Sequence, residues 1–243
     1  MKKVIKTLLR KLGYEIIASD FSNDRDAFLE QQRLIGVNSD LVIFDVGAHH
    51  GQTALTYNKL FKKADIYSFE PYPNSFDVLI EKTKHVSLIK HFNFALGNKN
   101  GHIEFHVNNS TATNSILETS TQGHDIWGTG KLETQQTTKV QISTLDEFVK
   151  AKGIAKIDIL KLDTQGSEHL IIEGARSTIE KGMVELVYTE IITMPTYENQ
   201  KSLDEVLYLF KTLNFRLHHF YNFSLTPNGQ LRQLDAIFVK NYQ

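Results

Sequence analysis

The sequence has no cysteine in 243 residues. That excludes a disulfide framework, thiolate catalysis and cysteine-ligated zinc, and it fits a cytoplasmic protein. Charge of one sign is also lacking: 27 basic residues stand against 28 acidic ones, a net charge of −1. There is thus no global electrostatic reason to expect a nucleic-acid partner. No apolar run approaches the roughly 18 residues a membrane-spanning helix needs. The first residues, MKKVIKTLLRKLG, are not a signal peptide, because charges interrupt every possible apolar stretch. An internal repeat is absent as well.

What is present is 41% hydrophobic residues, enough for one sizeable core and a single main domain. Val4, Ile5, Leu8, Leu9 and Leu12 form one face of an N-terminal helix that Gly13 can stop. Five positive charges and no acid line its other side. Packing on its own domain is the first reading, and weak contact with an anionic membrane surface is the alternative. A second helix is expected over 24–35, capped by Asp24, so 1–39 reads as a helical segment preceding a domain over 40–243.

That domain is organised around LVIFDVGAHHGQT at 41–53. A short branched apolar run, Leu41 to Phe44, predicts a buried strand, and Gly47 and Gly51 permit a tight turn into a helix. Such a turn is expected to leave free backbone N–H groups at the carboxyl edge of a sheet, where nucleotide-like ligands bind. Further strands are expected at 66–69, 86–89, 157–162 and 184–188. Helices between them carry Ala54, Tyr57 and Leu60, then Phe76, Leu79 and Ile80 behind an Asn74 cap, then Leu170, Ile171, Ala175 and Ile179. Alternation of strand and helix predicts a parallel sheet with right-handed crossovers. Thr144 with Glu147 and Ser202 with Glu205 read as capping boxes. The strands at 215–221 and 234–239 flank Pro227-Asn228-Gly229 and should pair as a hairpin. A small β segment is expected at 103–107. Between 108 and 138 the chain is polar, with Trp127 its only large aromatic, and reads either as a mobile lid or as a disordered insertion.

Four strand ends carry polar groups: Asp45 with Gly47, Glu70, Asn93 with Ala95, and Asp163. In a parallel sheet these ends share one edge, so residues separated by more than a hundred positions converge. A carboxylate after the second strand is the group that grips ribose hydroxyls in dinucleotide folds. Gly47-Ala48-His49-His50-Gly51 nevertheless lacks the third glycine of G-x-G-x-x-G, and no phosphate-binding G-x-x-x-x-G-K-[ST] occurs. His49 and His50 are adjacent, with no carboxylate at ligand spacing, so no metal site is expected.

The D-x-G-x-x-x-G form resembles the first motif of class I S-adenosylmethionine-dependent methyltransferases. More narrowly, DVGAHHG (45–51), FEPYP (69–73), NFALG (93–97), STLDEF (143–148) and DILKLDTQGSE (158–168) occur in the order seen in the FkbM family of methyltransferases. Gly174-Ala175 and the closing Asp235 to Val239 match too, and the likeness covers about residues 40–240. It departs at His49, where the family commonly has Asn.

The resemblance implies an α/β, Rossmann-like fold. Its seven-stranded, mostly parallel sheet ends in an antiparallel hairpin and carries helices on both faces. It also implies S-adenosylmethionine as cofactor and methyl transfer to a hydroxyl of a glycan or small natural product. By position, Gly47, Ala48 and Gly51 would border the methionine part of the cofactor, with Asp45 and His49 among the cofactor-binding residues. Glu70 with Pro71 would hold the ribose, and Asn93 and Ala95 would lie near adenine. Asp163 would face the methyl donor. Removing the acceptor's proton requires a base, for which Asp163 is the first candidate and Glu190 and His169 follow. Two alternatives stay open: a cofactor-binding partner subunit that no longer catalyses, and a nicotinamide-dependent oxidoreductase. The sequence names neither the acceptor nor the oligomeric state.

Overall fold

The computed structural model describes residues 26–37, 40–128 and 130–241. The basic segment 1–13 and the Asp24 cap fall outside these residues. Where description begins, Asp26 caps α1 (Ala27–Ile35) by accepting the Phe28 and Leu29 N–H groups.

The chain alternates β1 (Val42–Val46), α2 (Gln52–Leu60), β2 (Asp65–Phe69), α3 (Pro73–Thr83) and β3 (Ile89–Phe92). A short β4 (Ala95–Leu96), β5 (Gly101–Asn108), a 3-10 turn at Thr111–Thr113 and α4 (Thr121–Trp127) follow. Then come β6 (Thr134–Ser143), α5 (Leu145–Lys152), β7 (Ile157–Leu162), α6 (Glu168–Gly174) and α7 (Arg176–Glu180). The chain closes through β8 (Val184–Ile192), α8 (Leu203–Thr212), β9 (Phe215–Leu225) and β10 (Leu231–Lys240).

Seven strands form one sheet in the order β3-β2-β1-β7-β8-β10-β9. The pairs from β3 to β8 are parallel, and β10 runs antiparallel to both β8 and β9. The order reverses between β1 and β7, which places the sheet's topological switch point there. A smaller sheet, β4-β6-β5, stands beside it.

The sheet is buried on both faces because its central strands are mostly apolar, and the pleat deals those residues alternately to two cores. Phe44, Val46, Leu160, Leu162, Val187 and Phe238 pack with Leu145, Phe148 and Ile171 from the helices on one side. Ile43, Ile159, Leu186 and Ile237 pack with Ala27, Ala54 and Tyr57 on the other. On that second side α1 is tied by polar contacts: Tyr57 Oη donates to Gln31 Oε1 at 2.8 Å, and His218 Nε2 lies 2.7 Å from Glu30 Oε1.

Several boundaries differ from expectation, each for a local reason. The third strand begins at Ile89, not Val86. Tyr72 stands at the N-cap of α3 with Pro73 at its first turn, so Asn74 lies inside the helix. The buried stripe of α3 is Ser75, Leu79 and Thr83, at i, i+4 and i+8, and Ile80 faces solvent. The helix expected through Ala175 is broken into α6 and α7. The break falls at Ala175, at φ −104° and ψ 5°, just after Gly174, where a Cβ would lie 1.9 Å from the Gly97 carbonyl oxygen, so only glycine lets the two backbones come this close. Asp146 restarts the helix by accepting the Ser177 and Thr178 N–H groups and the Thr178 hydroxyl. The STLDEF motif therefore serves two helix starts, because Thr144 also caps α5 through the Glu147 N–H.

The described residues of the insertion, 108–128 and 130–138, form defined structure. Its last residues belong to β6, whose outer half is polar because it is exposed on both faces of the small sheet. No helix among the described residues is long and apolar enough to cross a membrane.

Candidate active site

The carboxyl ends of β1, β2 and β7 meet beneath one loop. Gly47 adopts φ +75°, and a Cβ on it would lie 1.9 Å from the Asp163 carbonyl oxygen. Only glycine lets β1 turn this close to the end of β7. Most N–H groups of the turn are taken up within the protein, where the sequence led us to expect free ones. Those of Gly47 and Ala48 both donate to the Phe69 carbonyl, that of Gly51 donates to Ala48, and that of His49 donates to Glu70 Oε2 at 2.9 Å.

Glu70 is 6% exposed, and its Oε1 accepts the Tyr72 N–H at 2.9 Å. One carboxylate thus pins both the glycine turn and its own Pro71 turn. Asn93 supports that corner by donating to the Glu70 and Pro71 carbonyls.

Under the turn lies a feature the sequence reading missed. Lys161, 4% exposed, reaches up from β7 between the strands. Its Nζ is 3.0 Å from Asp45 Oδ1 and 3.7 Å from Asp163 Oδ2, and it donates to the Gly47 carbonyl at 3.0 Å. Burial alone would lower its pKa, but Asp45 and Asp163 outweigh burial and raise it. The ammonium is a permanent charge holding the turn's carbonyl and two carboxylates in register.

The insertion supplies a roof. His49 Nε2 lies 2.8 Å from Thr111 Oγ1, Ser115 Oγ donates to the Gln165 carbonyl at 2.8 Å, and Tyr197 Oη donates to the Thr113 carbonyl at 2.9 Å. Between floor and roof is a cavity of about 420 Å³, within the range of small-molecule sites. Phe94, Ala95, Leu96, Phe105 and Ile116 make one wall apolar. Asp163 and Glu190 stand on another, bridged by Gln165, whose Nε2 donates to Asp163 Oδ1 at 3.1 Å and Glu190 Oε2 at 2.7 Å. Gln233 on β10 holds the second Glu190 oxygen at 3.0 Å. Burial, and after it the Asp163 and Glu168 charges, push the Glu190 carboxyl well above its usual range.

Of the residues singled out from sequence, Gly47, His49, Glu70, Pro71, Ala95, Asp163 and Glu190 line this cavity. Asp45, Ala48, Gly51 and Asn93 do not, and instead build its floor and corners. Gly51 faces Leu79 and Thr83 of α3. His169 lines a separate small void with Ile172 and Phe210. Glu190 lies within β8, two residues before the strand ends.

The family model for the methyltransferase FkbM domain matches residues 45–217, from the Asp45 floor into β9. The chain belongs to the FkbM methyltransferase family. Relatives of it include 2-O-methyltransferase NoeI of Sinorhizobium fredii, 28% identical over 174 residues that cover 69% of this chain and 70% of NoeI. Hexuronic acid methyltransferase AglP of Haloferax volcanii is 26% identical over 153 residues, 63% of this chain and 56% of AglP. Among solved structures, an rRNA methylase from Streptococcus thermophilus superposes with a TM-score of 0.51 at 12% identity, covering 90% of this chain and 98% of that one. That likeness shows the fold, the Rossmann-like arrangement of class I methyltransferases.

In FkbM terms the departure at His49 has a backbone explanation. The residue sits at φ +46°, left-handed space that Asn and His tolerate better than most residues. Its side chain stacks on His50 at 3.7 Å between ring centroids while reaching Thr111. Burial lowers its pKa to about 4, so at neutral pH it links turn to roof as a neutral ring.

A pH dependence follows from the carboxyls of this FkbM site. Burial pushes Glu70 up to about 7 against the Tyr72 and His49 N–H groups, and pushes Glu168 up to about 7 as well. An acid whose folded pKa exceeds its unfolded value holds its proton longer in the folded state. Stability is therefore lost as pH rises between about 4.5 and about 7. In urea unfolding across this window, Glu70→Gln should show the shallower loss, differing from the parent protein by on the order of 1–3 kcal/mol. Identical pH slopes would show that Glu70 titrates normally.

Proposed function

We propose that this chain transfers a methyl group from S-adenosylmethionine to a hydroxyl of a glycan. The observation that carries the cofactor is the donor and acceptor set around the cavity. Glu70 offers a buried carboxylate suited to a pair of ribose hydroxyls, and the apolar wall of Phe94, Ala95 and Leu96 suits a flat purine. The acidic wall of Asp163 and Glu190 suits a ligand bearing positive charge. The turn lacks the third glycine of the dinucleotide fingerprint, which counts against an oxidoreductase. The glycan acceptor is supported by the relatives, one named for 2-O-methylation and one for hexuronic acid methylation.

When bound, S-adenosylmethionine supplies an electrophilic methyl group on a sulfonium. The chain's residues must hold the acceptor hydroxyl in line and take its proton. Glu190 is the better placed base, because it stands half-buried on the cavity wall and is fixed at both oxygens by Gln165 and Gln233. Asp163, with a side chain 42% exposed and Lys161 beside it, orients the acceptor. No role in the reaction falls to His169, which faces the other void.

The test is turnover to S-adenosylhomocysteine with uronic-acid and neutral oligosaccharides. Glu190→Gln should lower kcat by about 10²–10⁴-fold with S-adenosylhomocysteine affinity unchanged, and Asp163→Asn should lower it less. Full activity in Glu190→Gln would remove it from the chemistry.

A further inference from the structure

The cofactor reading accounts for the cavity residues on the motif turns, and leaves those on the roof and on β8 and β10 unassigned. Their chemistry is distinctive. Trp127 is the sequence's single tryptophan, held by its Nε1–H to Thr196 Oγ1 at 2.9 Å and by the Arg232 guanidinium 4.1 Å from its ring. Asn114 is 8% exposed, its Oδ1 takes the Asn108 N–H at 2.8 Å, and its Nδ2 has no partner among the described residues. Buried amide donors are rarely left unpaired, so this one is available to a ligand acceptor.

Lys131 is the third. It carries the single ammonium among the lining residues, in a cavity otherwise charged by Glu70, Asp163 and Glu190. Its carbonyl accepts the Ser110 N–H at 3.3 Å and the Thr113 hydroxyl at 3.0 Å, so its backbone is part of the roof. The neighbouring Glu133 carboxylate accepts from Asn109, and Lys131 itself has no ion pair among the described residues. Thr113 in turn connects through Tyr197 to Gln165, which ties the Lys131 backbone to the glutamine bridging Asp163 and Glu190, and Lys131 lines the same cavity as those two acids.

We infer that this half is the acceptor subsite and that it takes an acidic sugar, whose carboxylate pairs with Lys131 while Asn114 Nδ2 donates to a sugar oxygen. The inference rests on the proposed glycan acceptor and deepens it. An indole beside hydroxyl and carboxamide groups is suited to a pyranose, and a lone ammonium at the rim separates a uronate from its neutral parent. The carboxylate of the cofactor's methionine is the other anion that Lys131 can read, so the test must tell the two apart.

Trp127 is a built-in reporter. Its fluorescence is followed while methyl glucuronide or methyl glucoside is added, with and without saturating S-adenosylhomocysteine, whose own binding is measured by calorimetry. The glucuronide should bind about tenfold tighter than the glucoside. Lys131→Gln should erase that preference, Lys131→Arg should keep it, and S-adenosylhomocysteine affinity should stay constant in both. Equal binding of the two glycosides, binding of neither, or a preference that survives Lys131→Gln would overturn the inference. So would a Lys131→Gln defect confined to S-adenosylhomocysteine, which would assign Lys131 to the cofactor. Failure of the parent protein to bind S-adenosylhomocysteine would overturn the methyltransferase reading instead, and the glycoside titrations without it would still report on Lys131.

Discussion

Glu70→Ala should weaken S-adenosylhomocysteine binding by about a hundredfold, the largest loss expected from any single side chain lining the cavity. Hydrogen bonds to a charged acceptor are worth about 1.5–3 kcal/mol, and that range converts to roughly 10–150-fold in affinity. Alanine removes the proposed ribose acceptor and also frees the His49 and Tyr72 N–H groups that the carboxylate now holds. The glycine turn and the Pro71 turn would then lose their common anchor. Glu70→Gln separates these two effects. It keeps an acceptor oxygen for one of the N–H groups and removes the charge, so its loss should be nearer tenfold and its fold intact by circular dichroism. Calorimetric titration of both variants decides the matter. Wild-type affinity in Glu70→Ala would take Glu70 out of the cofactor site.

The second large effect is on stability. Lys161→Met should cost about 3–5 kcal/mol, the usual penalty when one partner of a buried pair is removed and the other is left charged. Asp45 is fully buried, and Lys161 is the cation beside it. Replacing both, as Asp45→Asn with Lys161→Met, leaves no buried charge and should recover most of that loss, because a buried ion pair is often no more stabilising than neutral residues of similar volume. Cofactor affinity should not recover in parallel. The Gly47 carbonyl would still lack the ammonium that donates to it, and Asp163 would lack its neighbouring charge. Urea unfolding and S-adenosylhomocysteine titration on the same three proteins test both halves. A double variant restored in stability and affinity alike would reduce Lys161 to a structural ion pair.

The parts of the fold legible in the sequence are those where one local signal dominates. β7 was read at its observed limits because Ile157 to Leu162 is an apolar run bounded by polar residues. The hairpin of β9 and β10 was marked by Pro227-Asn228-Gly229, and α8 by Ser202 with Glu205. Local signals failed where a distant contact decides. β6 is polar along its outer half and looks like loop, since its pairing with β5 and its solvent-facing side are properties of the small sheet. The demand for glycine at position 174 comes from the Gly97 carbonyl, 77 positions away in the chain, and apolar periodicity runs straight across the break that follows it.

The site divides in the same way. Glu70, Gly47 and Asp163 stand at strand ends, where parallel topology brings them together, and the structure places all three on the cavity. Lys161 carries a signal of its own: a cation inside a buried, mostly apolar strand must find an acid, and Asp45 is the acid that the register puts beside it. Gln165 and Gln233 carried none, because a glutamine near a strand end has no reason to be noticed until Glu190 is found between them. The roof was the least legible part. Thr111, Thr113 and Ser115 close over the site through single hydrogen bonds to His49, Tyr197 and Gln165, and polar composition alone does not tell such a segment from a loose loop.

The central claim is that the turn after β1, with Glu70 beneath its edge, is built for S-adenosylmethionine and not for a dinucleotide. Calorimetric titration of the same protein preparation with S-adenosylmethionine and with NAD tests it most directly. The account predicts saturable one-to-one binding of S-adenosylmethionine and no heat from NAD. Binding of NAD with no response to S-adenosylmethionine would contradict it.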